Sequence, residues 1–206
     1  MTDKIDLTKT LDSYRAKRGE FRIVEIPARR YLMIDGHGDP NTSPAYAEAL
    51  AALYPVAYKL KFASKRTLDR DYVVPPLEGL WTAEDLDAFT TARDKSQWDW
   101  TMMLLVPDWI EADLVDGAIA QVAAKSPPAR LTDVRLESLD EGCCVQTLHV
   151  GSFDDEGPVL DRMHHEFIPS QGLRMSGTHH EIYLSDPRRT APERLRTILR
   201  QPVMRD

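Results

Sequence analysis

Residues 21–38 read FRIVEIPARRYLMIDGHG, and residues 134–151 read VRLESLDEGCCVQTLHVG. In the first stretch, residues 21–26 and 30–34 have the composition of two short strands separated by the turn Pro27-Ala28-Arg29. Gly36-His37-Gly38-Asp39-Pro40-Asn41 then supplies loop chemistry. The second stretch repeats the order. A strand over 134–139 meets the hairpin-type turn Asp140-Glu141-Gly142, and a strand over 143–150 closes at Gly151. Each stretch leads into a helix. After the first, Tyr46, Leu50, Leu53, Ala57 and Leu60 recur at the spacing of one buried helical face, with Pro55 predicting a kink or an earlier end. After the second, Asp154-Asp155-Glu156-Gly157-Pro158 opens a helix whose apolar positions are Leu160, Met163 and Phe167. Acidic residues suit such an N-terminus, so Glu156 reads as part of it.

Further along, the halves stay in step. The first continues with a strand over 72–81, its prolines at the entry side, a short helix over 83–89 and a strand over 98–106. The second continues past Gly172 into His179-His180-Glu181-Ile182-Tyr183-Leu184. Side by side, Gly38 matches Gly151 and Glu78 matches Glu181. A helix over 114–124 followed by Ser126-Pro127-Pro128 reads as the join. The fold class is therefore α+β. A polar lead-in over 1–20, read as flexible, precedes one domain over 21–206 made of two modules, about 21–107 and 130–206. At the end, Thr190-Ala191-Pro192-Glu193 is a capping box that predicts a helix with Leu195, Ile198 and Leu199 as its stripe. The arginines from 188 to 200 then form a solvated face.

Composition narrows the function. A formal charge of −7 over 206 residues lacks the basic footprint of a general nucleic-acid binder. The longest apolar run, residues 102–106, is far short of a membrane span, and the polar N-terminus has no signal-peptide core. Adjacent Cys143 and Cys144 point to opposite sides of an extended chain, which fits a reducing, cytoplasmic setting. His164-His165 and His179-His180 diverge in the same way and lack zinc-site spacing, so no metal is expected. Neither a Walker loop nor a dinucleotide fingerprint is present, and no cofactor is expected.

Two acids stand out. Alternation puts His179, Glu181 and Tyr183 on one strand face, and a carboxylate in mid-strand is unfavourable unless it is solvated or used. Glu78 is an isolated charge between Leu77 and Gly79-Leu80-Trp81. Glu166 reads as part of a solvated helix face. For flat apolar surface, which stacks on planar ligands and attracts cations, the candidates are Trp98 and Trp100 on one strand face continued by Met102 and Leu104, with Trp81, Tyr58, Tyr72 and Tyr183.

The segments EIPARRYLMIDGHGDPN, PPLEGLW, LHVGSFDDEGP and HHEIYLSDPRRTAPERLRTILRQPV together resemble the GyrI-like small-molecule-binding family, and within it a stand-alone branch without an attached DNA-binding domain. That resemblance implies two β-α-β-β modules of SHS2 type related by a pseudo-twofold axis, antiparallel sheets lining a central cleft and helices packed behind. It implies a small hydrophobic or aromatic ligand as the partner, neither nucleic acid nor membrane. It also implies an activity, because the branch is similar to enzymes that hydrolyse the cyclopropane ring of DNA-alkylating natural products. Opening such a ring by water needs one group to take the water's proton and another to stabilise charge on the carbonyl oxygen. Glu181 and Glu78, facing one cleft, would divide these roles in either order. The alternative is a binder that sequesters hydrophobic or cationic aromatic drugs without converting them.

Overall fold

The computed structural model describes residues 4–82 and 95–205. Its strands are β1 Arg22–Ile26, β2 Arg29–His37, β3 Leu77–Thr82, β4 Asp99–Val106, β5 Arg135–Leu139, β6 Gly142–Val150, β7 Leu173–Met175, β8 His179–Tyr183 and β9 Arg196–Arg205. The helices are α1 Leu7–Thr10, α2 Pro44–Thr67, α3 Ala112–Ala123, α4 Gly157–Asp161 and α5 Ile168–Ser170, with a π-helical turn Arg162–Phe167 between the last two. The class is α+β, as the alternating pattern predicts. The short helix expected over 83–89 lies outside the described residues.

All strand pairs are antiparallel and run in the order β1-β6-β9-β8-β3-β4-β2-β5, with β7 added on β9. The two expected hairpins are absent, since β1 does not pair with β2, nor β5 with β6. Instead the halves exchange partners. Arg22 to Ile26 lie opposite Gln146 to Gly142, and Arg29 to Met33 lie opposite Leu139 to Arg135. The register runs across the break without a slip. β1–β2 and β5–β6 are thus two long bent strands forming one ribbon, interrupted only at Pro27-Ala28 and Asp140-Glu141. Proline without an N–H, facing a pair of acids, interrupts pairing and bends the strand instead of reversing it. Gly38 and Gly151 end β2 and β6, both with positive φ (96° and 152°), which supports the internal repeat.

Helices α2 to α5 cover one side of this sheet. On that side α2 and α3 close over Leu32, Ile34, Trp100, Met102 and Leu104, while the 157–170 segment closes over Val145, Leu199 and Val203 through Met163 and Ile168. The opposite side gathers Tyr31, Met33, Met103, Leu105, Leu148, Ile182 and Ile198 into a second core. Residues 4–20 close this core instead of trailing free: Leu7 and Tyr14 are buried in it, and Ile5 bridges to Tyr72. These seventeen residues, part of what reads as a polar lead-in, are therefore a lid on the core.

Two local expectations are corrected. α2 runs through Pro55 to Thr67 without ending there. Pro55 is exposed, and its lost N–H is outweighed by Ala52, Leu53, Val56 and Ala57, all buried around it. The expected C-terminal helix is only a 3-10 turn, Pro192–Arg194, followed by β9. β9 lies between β6 and β8, so residues 197–203 are buried on both sides. Leu195, Ile198 and Leu199 match a helical stripe, but the continuous apolar run belongs to a central strand.

Candidate functional site

The β3–β8 ladder fixes which side chains can meet. Gly79 pairs with Glu181 and Trp81 with His179, whereas Glu78 pairs with Ile182 and Leu80 with His180. Because partners in a ladder project to the same side, Glu181, His179, Tyr183 and Trp81 share the helix-bearing side. Glu78 shares the other with His180 and Ile182. A pseudo-twofold exchanging adjacent antiparallel strands keeps each side of the sheet on its own side, so it relates Glu78 to His180 or Ile182. Glu181 is not its counterpart. The expected pairing of the two glutamates across one cleft is therefore corrected by a shift of one residue, which in a strand reverses the face.

On the helix-bearing side Glu181 lies beside an aromatic cluster, sharing its side with Trp81 and Tyr183 and acting on Tyr183 and Tyr46. Trp81 Nε1 donates to Tyr183 Oη at 2.8 Å, and Trp81 stands edge-on to Trp98 with centroids 5.5 Å apart. Phe153 stands edge-on to Tyr183 at 5.6 Å, and Tyr46 of α2 to Trp100 at 5.3 Å. Gly79 makes room for this arrangement: a Cβ there would come within 2.5 Å of Met102 Cε, 2.9 Å of Trp81 Nε1 and 3.2 Å of Tyr183 Oη. Glycine is the residue that lets the indole and phenol fold over the strand. Burial first, then the negative charge of Glu181, push the hydroxyl pKa values of Tyr183 and Tyr46 upward. Both phenols therefore stay neutral hydrogen-bond donors. His179 Nε2 lies 3.7 Å from Glu181 Oε1, with side-chain exposures of 15% and 14%, so both are mostly enclosed. His164 stands edge-on to His179 at 6.2 Å. Glu156 is buried at 5% exposure beside Tyr183.

Of the other candidates, Trp100 and Met102 border the cluster beside Tyr46 and Trp81, whereas Tyr72 and Tyr58 lie apart. Trp100 and Met102 lie on the correct side but deep in the core, Trp100 donating from Nε1 to the Gly38 carbonyl at 3.1 Å with its ring over Gly36. Tyr72 is buried against Trp109 behind α2, and Tyr58 is half exposed on the outer face of that helix. Neither touches the cluster. Sequence reasoning passed over His179, Tyr46, Phe153 and His164. The alternation around Glu181 already held His179, whereas the other three reach the site from separate elements.

Glu78 belongs to a buried ion cluster. It accepts from Tyr14 Oη, and His180 Nε2 lies 2.9 Å from its Oε2. His180 Nδ1 is 2.9 Å from Glu141 Oε1, and Arg200 Nη1 donates to Glu141 Oε2 at 2.8 Å. Arg200 also reaches Gln146 Oε1 and the Ser13 carbonyl. At 2% exposure it is far from the solvated face its neighbours suggested. Two acids balance two bases here, which makes their burial tolerable. A cleft of about 300 Å³ opens next to this cluster, lined by Leu80, Leu139, Asp140, Glu141, Ser176, Gly177, Thr178 and Pro202. It lies on the wrong side for Glu181, and the acid at its base, Glu141, is already engaged by His180 and Arg200. The chemistry therefore points to the aromatic cluster and away from this opening.

Comparison with known proteins agrees with the fold. Residues 111–204 match the GyrI-like small molecule binding domain. Among solved structures, an uncharacterized conserved protein from Listeria innocua is 39% identical, covers 98% of this chain and 100% of its own, and superposes with a TM-score of 0.87. A hydrolase from Listeria innocua is 36% identical over 98% of this chain and all of its own, with a TM-score of 0.85. The C-terminal domain of EcmrR, at 11% identity over 91% of this chain and 98% of its own, shares the fold, with a TM-score of 0.56. Among curated proteins none matches.

Proposed function

The chain belongs to the GyrI-like small-molecule-binding family, and from that premise we propose that it hydrolyses electrophilic planar aromatic compounds, opening the cyclopropane ring of DNA-alkylating cyclopropanoids with Glu181 as the base. One observation carries the reading: Glu181 is a mostly enclosed carboxylate beside Tyr183 and Tyr46, on the side of Trp81, in a set of rings that extends to Trp98 and Phe153. Apolar rings bind a flat polycycle by stacking, and a carboxylate among them is placed to take a proton from a water beside the bound ring. The hydrolase from Listeria innocua, similar over its whole length, supports chemistry beyond binding.

In this reading the water's oxygen bonds to the strained ring carbon while its proton passes to Glu181. The breaking carbon–carbon bond sends its electron pair to the ring carbonyl, which becomes a phenolate. Trp81 and Tyr183, tied together by their hydrogen bond, hold the plane of the substrate. Glu78, on the other side of the sheet, keeps the ion cluster together and takes no part.

The test is incubation with a cyclopropane-fused dienone in water enriched in oxygen-18, followed by mass spectrometry. The labelled water adduct is expected from the wild type, and Glu181→Gln should form it about 10²–10⁴ times more slowly. Quenching of tryptophan fluorescence by the compound with no adduct would leave a binder that sequesters its ligand.

A further inference from the structure

Opening the ring creates an anionic oxygen, and with Glu78 on the far side its stabilising partner must come from Glu181's own side. We propose that His179 is this second catalytic group, the donor that meets the phenolate oxygen and returns its proton, with His164 positioning it. The site thereby selects planar aromatics that carry a carbonyl or phenolic oxygen at one edge. The inference rests on the reading of Glu181 as base and completes it.

Geometry carries it. His179 and Glu181 are two positions apart on one strand face, so their side chains reach different points along the same bound molecule. Among the described residues both ring nitrogens of His179 are buried without a hydrogen-bond partner, as is His164 Nε2. Buried imidazole nitrogens left unpaired are unfavourable, and a ligand oxygen at the cluster would satisfy them. At 3.7 Å, Glu181 Oε1 is too far to be that partner but near enough to hand on a proton after a small movement. His164 sits in the π-helical turn Arg162–Phe167, an irregularity that recurs at functional sites, with its ring edge-on to His179.

The alternatives on this face are weaker donors. Tyr183 already accepts from Trp81, and burial with the Glu181 charge makes its hydroxyl and that of Tyr46 reluctant to release a proton. His164 is pushed down to about 4, by burial first and by His179 second, and stays neutral near pH 7. The groups facing His179 are thus Glu181 and Tyr183 on its own strand and His164 on the π-helical turn, with Tyr46 of α2 and Glu156 farther around the cluster. The protons balance: one leaves water for Glu181, one leaves His179 for the phenolate oxygen, and Glu181 returns its own to His179.

Two readouts separate this inference from the reading it rests on. With the cyclopropane-fused dienone, His179→Gln should lower kcat about 10²-fold with KM changed less than threefold. Imidazole added to His179→Ala should restore part of the rate. Turnover by His179→Gln within twofold of wild type would overturn the role while leaving Glu181 as base. In parallel, protein labelled with nitrogen-15 in its histidine rings is titrated with 2-naphthol and with naphthalene. The His179 ring signals should move with naphthol and far less with naphthalene. If the wild type opens no cyclopropane yet these signals move, the hydrolase reading fails and the oxygen contact stands. Unmoved His179 signals at saturating naphthol would sink the inference on their own.

Discussion

Glycine 79 shows how narrow the tolerances at the site are. Any side chain there must displace Met102, Trp81 or Tyr183, and overpacking of this kind typically costs about 1–3 kcal/mol. Gly79→Ala should therefore lower the urea midpoint and also break the Trp81–Tyr183 bond, seen as a changed near-ultraviolet tryptophan signal. An unchanged midpoint and spectrum would mean that the indole does not lie over the strand. On the far side, Arg200→Met leaves Glu141 with one counter-charge fewer in a buried cluster, a change expected to cost about 3–5 kcal/mol. The cluster also sets a pH window. Burial pushes Glu141 up, but His180 and Arg200 more than reverse this and hold it at about 2 instead of 4.5. Its contribution is present above pH 4.5 and is lost as pH falls towards 2. His180, opposed by burial but raised above 6.5 by Glu141 and Glu78, contributes fully below pH 6.5 and loses that contribution as pH rises through its elevated value. Urea midpoints against pH should form a plateau between these limits, and Arg200→Met should erode its acid shoulder. A flat profile from pH 2 to 5 would contradict the cluster's role.

Single elements were legible in the sequence where one period ruled them. The alternation of β8 put His179, Glu181 and Tyr183 on one side, and the ladder agrees. α2 was legible from its apolar spacing, but Pro55 misled because its cost was weighed without the burial on either side. Placed at an exposed interior position, Pro55→Ala should raise stability by about 1–3 kcal/mol, read as a higher urea midpoint. A lower midpoint would show that the proline shapes the helix. β9 was misread because a strand buried on both sides has no alternation, and Leu195, Ile198 and Leu199 imitate a helical stripe. Length and flanking residues could not arbitrate, since the neighbours that bury β9 come from β6 and β8.

At the scale of the molecule, the repeat was legible and the exchange of partners was not. Nothing in residues 21–41 says that β1 and β2 bond to the other half, because ladder partners leave no local mark when a two-residue break can read as a turn. The consequence is physical: each half contributes only part of its own sheet. Residues 1–107 alone should give no dispersed amide spectrum, while the same fragment mixed with residues 108–206 should regain one. A folded isolated fragment would contradict the shared ribbon. The one-residue frame between the halves matters as much, since it decides which acid faces the aromatic cluster. The most direct test sets Glu181 against Glu78 by measuring conversion of a cyclopropane-fused dienone at a temperature where both glutamine variants remain folded. Glu181→Gln should lose at least about a hundredfold in rate, and Glu78→Gln should keep the wild-type rate within about threefold while melting earlier. An inactive Glu78→Gln beside an active Glu181→Gln would place the chemistry on the opposite side of the sheet.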